Sequence, residues 1–267
     1  MTLQLRGVGY RYAGSAERTL RGIDLELEPR RVLGIAGPNA AGKSTLCLVA
    51  VGLAPLTIGG TLEGTVTIDG IDTRSARQYE IAQRASILFQ EPHTQLSDSA
   101  PTVWEEVAFG PRNLSLPLDE VTARTWAAIE ALSIADIVDR DPGRLSGGQA
   151  QLVALASVLA LQPAYLVLDE PTSQLDPEGT RLVGAALVQA AETTGAGILI
   201  VEHKTDLLAR LCDEVAVLDT GTIVRRGPTR DVLADPELEA LGVVAPGPAR
   251  LRRAVEASGR RWDPAWS

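Results

Sequence analysis

The segment Gly37-Pro38-Asn39-Ala40-Ala41-Gly42-Lys43-Ser44-Thr45 constrains this chain more than any other. A glycine, four residues, Gly-Lys and then Ser or Thr is the spacing of a phosphate-binding loop. The setting agrees with it. The apolar run Val32–Ala36 reads as a buried strand and residues 43–51 have helical character, so the loop lies between strand and helix. Backbone N–H groups of such a loop converge on phosphate oxygens at the helix N-terminus, where unpaired donors and the helix dipole favour an anion. Lys43 is placed to meet the β- and γ-phosphates of a nucleoside triphosphate, Ser44 has the short hydroxyl that ligates Mg2+, and Thr45 is a further phosphate donor. Ala40 stands where many such loops carry another glycine, so its backbone is expected to avoid a conformation that only glycine accepts, at little cost.

A second strand supplies acids. Tyr165-Leu166-Val167-Leu168-Asp169-Glu170 is apolar until it ends in two carboxylates. From that position the first reaches the metal shell and the second the attacking water, which makes Asp169 the metal-side acid and Glu170 the candidate general base. An acidic pair at a strand end is otherwise a solvated cap; the phosphate loop upstream gives it chemistry.

Around these motifs the patterning predicts an α/β fold. Leu3, Leu5, Ile23, Leu25 and Leu27 alternate with polar residues within 2–30, as in an antiparallel sheet. Apolar strands are expected at 85–89, 165–168, 198–201 and 215–218, with helical stretches among the segments between them, which argues for a core with a mostly parallel sheet. Residues 102–161 are mainly helical, broken at Pro117 and Pro142-Gly143, and predict a helical subdomain over about 95–161 inserted into that core. The main domain is thus placed at 1–227. A C-terminal extension, 228–267, is interrupted by Pro236, Pro246 and Pro248 and ends in an Arg-rich stretch with Trp262 and Trp266.

Bulk properties narrow the function. At 267 residues and 45% hydrophobic composition the chain buries a large core, and a net charge of −9 opposes polyanions, which argues against nucleic acid as a partner. Cys47 and Cys212, the only cysteines, fit a reducing compartment and are expected to be small buried apolar residues. Neither a secretory signal nor a membrane span is apparent, so a membrane process would be served by docking on another protein. The scarcity of lysine, with Lys43 and Lys204 alone, hints at a GC-rich bacterial genome.

Leu145-Ser146-Gly147-Gly148-Gln149 opens a helix, where the Ser146 hydroxyl and the following N–H groups offer a second anion site. This string resembles the signature of ATP-binding cassette (ABC) proteins, so the expected fold is a phosphate-loop NTPase core with an N-terminal antiparallel β subdomain and an inserted α-helical subdomain. The resemblance implies that the signature faces ATP held by an opposite subunit, so that two cassettes, identical or paralogous, close around ATP and Mg2+. It further implies that Tyr12, in preference to Tyr10, stacks on adenine, and that Gln90 touches Mg2+ and water and couples the site to a membrane partner. Ser173-Gln174-Leu175-Asp176 resembles the loop that crosses the dimer interface, with Asp176 as its acid. His203 matches the histidine that contacts the γ-phosphate and positions the water of Glu170. Leu152 stands where an arginine is often found, a departure expected to alter rate or pairing without loss of hydrolysis.

The stretch Phe89-Gln90-Glu91-Pro92-His93-Thr94-Gln95-Leu96, with Val107-Ala108-Phe109-Gly110-Pro111-Arg112-Asn113-Leu114, is similar to the ATPases of energy-coupling factor transporters, which take up vitamins, nickel or cobalt. That likeness implies a transmembrane coupling protein and a membrane substrate-binding subunit as partners, and a peripheral place at the cytoplasmic face of a bacterial cell membrane. The C-terminal extension is similar in position to one that helps such ATPases pair. Two other readings stay open: the ATPase of another ABC importer or exporter, and a non-transport cassette acting on DNA or ribosomes. The acidic balance and the lack of a long coiled-coil insertion argue against the latter.

Overall fold

Alternation of apolar and polar residues builds the first sheet. In the computed structural model, which describes residues 1–258, β1 (Leu3–Arg11) pairs antiparallel with β2 (Leu20–Leu27), Leu3 opposite Leu27 and Leu5 opposite Leu25. Strand β2 buries Leu20, Ile23, Leu25 and Leu27 and turns Arg21, Asp24 and Glu26 outward, the period of two expected of a half-buried strand. Strand β3 (Val32–Ala36) is buried at every position and leads through the phosphate-loop sequence into α1 (Lys43–Ala50). After the short α2 (Leu53–Leu56), β4 (Thr61–Ile68) and β5 (Ile71–Asp72) complete a four-stranded antiparallel sheet in the order β2-β1-β4-β5. Sequence patterning does not reveal β4, because Gly64 interrupts it and only Val66 and Ile68 are buried.

A short α3 (Gln78–Ala82) precedes β6 (Ala85–Leu88), and three helices follow: α4 (Val103–Asn113), α5 (Leu118–Ala131) and α6 (Gly147–Ala160). Their ends carry the expected stop signals. Thr102 caps α4 by accepting from the Glu105 N–H at 3.2 Å, Pro117 precedes α5, and Pro142 opens a single 3-10 turn before α6. The chain then alternates: β7 (Tyr165–Asp169), α7 (Pro177–Thr193), β8 (Gly197–Val201), α8 (Thr205–Leu211) and β9 (Glu214–Asp219). An edge strand, β10 (Thr222–Pro228), is largely exposed and therefore lacks a readable apolar pattern.

The second sheet has six strands in the order β10-β9-β3-β8-β7-β6, parallel except for the β9–β10 pair. Successive residues of β7 serve opposite faces: Tyr165 and Val167 join the core beneath the antiparallel sheet and α1, whereas Leu166 and Leu168 join the core beneath α4, α6 and α7. Because β3, β8, β7 and β6 run in parallel, the segments leaving their C-terminal ends share one edge of the sheet, where ligands bind in open α/β sheets. The phosphate loop follows β3, Glu170 follows β7, His203 follows β8 and Gln90 follows β6.

Beyond β10, α9 (Thr229–Leu233) and a 3-10 turn at Pro236–Glu239 bury Leu233 and Leu238 in the main core, so the extension belongs to the folded body as far as Ala245. Helix α10 (Gly247–Ala257) has no buried residue. Residues 259–267, with Trp262 and Trp266, lie outside the described residues. Among the described residues no helix is long and apolar enough to cross a membrane. Cys47 is buried as expected, whereas Cys212 is only partly buried.

A candidate nucleotide site at the strand ends

The phosphate loop is shaped by backbone geometry that few side chains permit. Gly37 has φ +154°, and a Cβ there would lie 2.1 Å from the Leu218 carbonyl oxygen, so the turn out of β3 requires glycine. Lys43, 6% exposed, donates to the carbonyls of Gly37 at 3.0 Å and Pro38 at 2.8 Å. Burial lowers its pKa, and the carboxylates of Glu170 and Asp169 oppose that shift.

Ala40 carries a small strain. Its φ is +62°, in the left-handed region, which a residue with a Cβ reaches at a cost but which is not closed to it. The loop imposes this conformation, at about 1 kcal/mol for a residue with a Cβ. Ala40→Gly is accordingly expected to raise the unfolding free energy by about 0.5 kcal/mol, strain relief exceeding the entropy gained by the unfolded chain. Urea denaturation checks this, and a destabilised variant would show that the position carries no strain.

Four segments meet at the two acids. Glu170, itself at φ +50°, receives the Gln90 side-chain amide on Oε2 at 3.0 Å, and His203 Nε2 lies 3.1 Å from Oε1. Gln90, Glu170 and His203 therefore form one constellation beside the phosphate loop. A carboxylate held by neighbours on both oxygens is oriented to accept a proton from water between it and a phosphate. Asp169 is 5% exposed, and its Oδ1 is buried without a hydrogen-bond partner. Burial foremost, then repulsion by Glu170, raises its pKa; the Ser44 hydroxyl, Lys43 and His203 act in the opposite sense. An orphaned carboxylate oxygen next to a serine hydroxyl is a hard-oxygen donor set of the kind that Mg2+ takes, so Ser44, Asp169 and Gln90 could hold that ion.

Tyr10 and Tyr12 separate cleanly. Tyr10 is fully buried, with its hydroxyl on the Gly59 carbonyl, and has no face to offer a base. Tyr12 is half-buried, stands edge-on to Tyr10 and bonds the Thr45 hydroxyl at 3.0 Å, which places it over the start of α1. The Thr45 hydroxyl is thus engaged by Tyr12 in this state.

The signature and Asp176 form a separate group. Leu145 is buried, and Ser146 with Gln149 makes a reciprocal cap on α6: the Ser146 hydroxyl accepts from the Gln149 N–H at 3.3 Å and the Gln149 side chain from the Ser146 N–H at 3.1 Å. Gly147 and Gly148 pack against Gln174, where added Cβ atoms would come within 3.0 and 3.3 Å of it. Asp176 caps α7 through the Gly179 N–H at 2.7 Å. None of these residues shares the hydrogen bonds of the acid cluster. Leu152 packs against the core of the helical layer. Sequence reasoning misses Thr172, Glu202 and Lys204, which surround His203; Glu202, an acid following an entirely apolar strand, was the available signal.

A phosphate loop after β3, with paired acids at the end of β7 two strands away in the same parallel sheet, defines a nucleotide-binding cassette. Comparison with known proteins agrees. A family model described as ABC transporter matches residues 20–173. An ABC transporter ATP-binding protein of Pyrococcus horikoshii is 40% identical over 245 residues, spanning 91% of this chain and 86% of that one. The energy-coupling factor transporter ATP-binding protein EcfA of Methanosphaera stadtmanae is 37% identical over 238 residues, 88% of this chain and 82% of its own. Among solved structures, cbiO1 of Clostridium perfringens, described as part of the ABC transporter complex cbiONQ, aligns with a TM-score of 0.77 and 29% identity over 96% of each chain. A cassette dimer in a post-hydrolysis state with ADP and Pi aligns with a TM-score of 0.75 and 25% identity, over 86% of this chain and 99% of that one. The chain belongs to the ABC transporter family, as an ATP-binding subunit whose ATPase activity is coupled to transport.

Proposed function

We propose that this chain is an ATPase of an energy-coupling factor importer, powering uptake of a vitamin or a transition metal ion from the cytoplasmic face of a bacterial membrane. The observation that carries the mechanism is the division of the site: Gln90, Glu170 and His203 cluster at one sheet edge, while the signature cap at Ser146 remains exposed beside Gln174. A lone cassette thus offers two half-sites, and pairing with an identical or paralogous cassette completes both.

In this reading the segment Gly37, Pro38, Asn39, Ala40, Ala41, Gly42, Lys43, Ser44, Thr45 wraps the triphosphate and Tyr12 stacks on adenine. Lys43 leaves the loop carbonyls to neutralise the β- and γ-phosphates. Ser44, Asp169 and Gln90 would hold Mg2+, which when bound would supply Lewis-acid polarisation of the phosphates. Glu170 accepts the proton of the attacking water, and His203 orients that water against the γ-phosphate. Leu145, Ser146, Gly147, Gly148 and Gln149 direct the N-terminus of α6 at the γ-phosphate in the opposite cassette, and Asp176 belongs to the turn that crosses between them.

The assignment to energy-coupling factor systems is supported by the run from Val107 to Leu114 and by the likeness to EcfA. Helix α4 leaves Phe109 48% exposed, an apolar contact suited to a helix of the transmembrane coupling protein, which would also hold the substrate-binding subunit. The exposed α10 is suited to pairing between cassettes.

Light scattering on the Glu170→Gln chain tests the mechanism. Conversion from monomer to dimer only with ATP and Mg2+ is the expected result. An ATP-bound chain that stays monomeric, both alone and when co-purified with its coupling protein, would refute the composite site.

A further inference from the structure

His203 is flanked by two residues that take no part in its contact with Glu170. Glu202 is 2% exposed, and its carboxylate accepts four hydrogen bonds. Oε1 takes the Thr172 N–H at 3.2 Å and the Thr172 hydroxyl; Oε2 takes the N–H groups of His203 at 2.9 Å and Lys204 at 3.1 Å. On the other side, the Lys204 ammonium donates to the carbonyls of Thr172 at 2.8 Å and Leu175 at 3.3 Å and to the Thr180 hydroxyl at 3.0 Å. The carboxylate thus ties Thr172, and the ammonium ties Thr172, Leu175 and Thr180, to the backbone that carries His203, so that the turn Ser173 to Asp176 is held from both of its ends. The far side of that turn lies against Gly147 and Gly148 of the signature.

We propose that Glu202, through Thr172, and Lys204, through Thr172, Leu175 and Thr180, are positioning residues that clamp the turn at Ser173 to Asp176 to the His203 loop. The groups acting on this chain's own ATP and those facing the opposite cassette's ATP then shift together. The inference rests on the composite-site reading.

The chemistry of both residues supports it. A carboxylate only accepts, so Glu202 suits four donors. Glutamine in its place turns an NH2 group toward N–H donors whichever way the amide is rotated. An ammonium has three rotatable donors on a compact head, matched here by three acceptors, whereas a guanidinium presents a planar fork. Of the 25 Lys and Arg residues only Lys43 and Lys204 are lysines, and the second stands among three acceptors that converge on one point. Buried networks in which every member is satisfied hold their parts in one arrangement. Lys204 itself is exposed, so its truncation leaves no core cavity.

The test uses the full chain with Lys204→Ala, Lys204→Arg and Glu202→Gln, each in the parent and in the Glu170→Gln background. For Lys204→Ala, affinity for a fluorescent ATP analogue and the melting temperature are expected to stay at the parent's values. Its kcat is expected to fall about tenfold or more. ATP-driven dimerisation in the Glu170→Gln background should then need about tenfold more ATP. Arginine at 204 should not restore either property, and Glu202→Gln should show the same split between kcat and nucleotide affinity. Unchanged kcat and dimerisation in Lys204→Ala would overturn the proposal. So would full rescue by arginine, or a loss of nucleotide affinity in step with kcat, which would mark simple structural support. The Glu170→Gln parent retains both residues. Its failure to dimerise counts against the composite site and takes the clamp with it; a dimerising parent with indifferent Lys204 variants refutes the clamp alone.

Discussion

Glu170→Gln is expected to lower kcat for ATP hydrolysis by about a thousandfold while leaving the KM for ATP nearly unchanged. The substitution preserves volume and retains an oxygen that can accept from the Gln90 amide at the place of the present 3.0 Å bond. It removes the one group placed to take a proton from water beside the phosphate loop. In the proposed mechanism phosphate binding draws on Lys43 and the loop N–H groups; Lys43 bonds the Gly37 and Pro38 carbonyls and makes no hydrogen bond to Glu170. A general base of this kind is worth about two to four orders of magnitude in rate, and it acts in the transition state only, so the loss falls on kcat. Steady-state hydrolysis measured against ATP concentration separates the two constants. A kcat within about twofold of the parent would exclude Glu170 as the base.

Asp169→Asn should split stability from function. The carboxyl pKa of Asp169 is raised in the folded chain, chiefly by burial, so folding disfavours its charged form. For a carboxyl shifted upward, the cost is fully present above the folded pKa and disappears as pH falls through the folded pKa toward the unfolded value. The neutral amide escapes that cost. The nucleotide-free variant is therefore expected to be more stable than the parent by about 1 kcal/mol at neutral pH, with the gap closing in acid. With ATP and Mg2+ the order reverses. At a ligand concentration of about a hundred times Kd the parent gains about 2.7 kcal/mol, and the variant, lacking the metal-side acid, gains little. Denaturation across pH, with and without Mg2+-ATP, reads both effects. A variant that is less stable at neutral pH, or that keeps the parent's Mg2+-dependent gain, would contradict the role given to Asp169.

What was legible in the sequence follows a physical division. Strands β3, β7 and β8 are buried on both faces and stand out as continuous apolar runs, and the motifs at their ends are brought together by parallel pairing. Tyr12 could be preferred to Tyr10 from resemblance, whereas the burial of Tyr10 and the bond from Tyr12 to Thr45 leave no trace in the sequence. Strands β4 and β10 were not legible, since both lie half in solvent. The conformation of Ala40 ran against local preference because the loop's closure, and not residue propensity, determines it. The clamp around His203 joins residues about thirty positions apart, and such a network leaves no periodic trace.

The resting site is already populated with internal substitutes. Lys43 rests on carbonyls where phosphate oxygens would come, Glu170 is engaged by Gln90 and His203 where water would come, and Ser146 is engaged by its own helix where a γ-phosphate would come. In the proposed mechanism the contacts made by Lys43 and Glu170 therefore replace hydrogen bonds instead of adding them, and the net gain from each is only about 1 kcal/mol. Asp169 Oδ1 is the exception, a buried acid oxygen with no internal substitute, so in the proposed mechanism the gain on loading is concentrated at the metal-side acid.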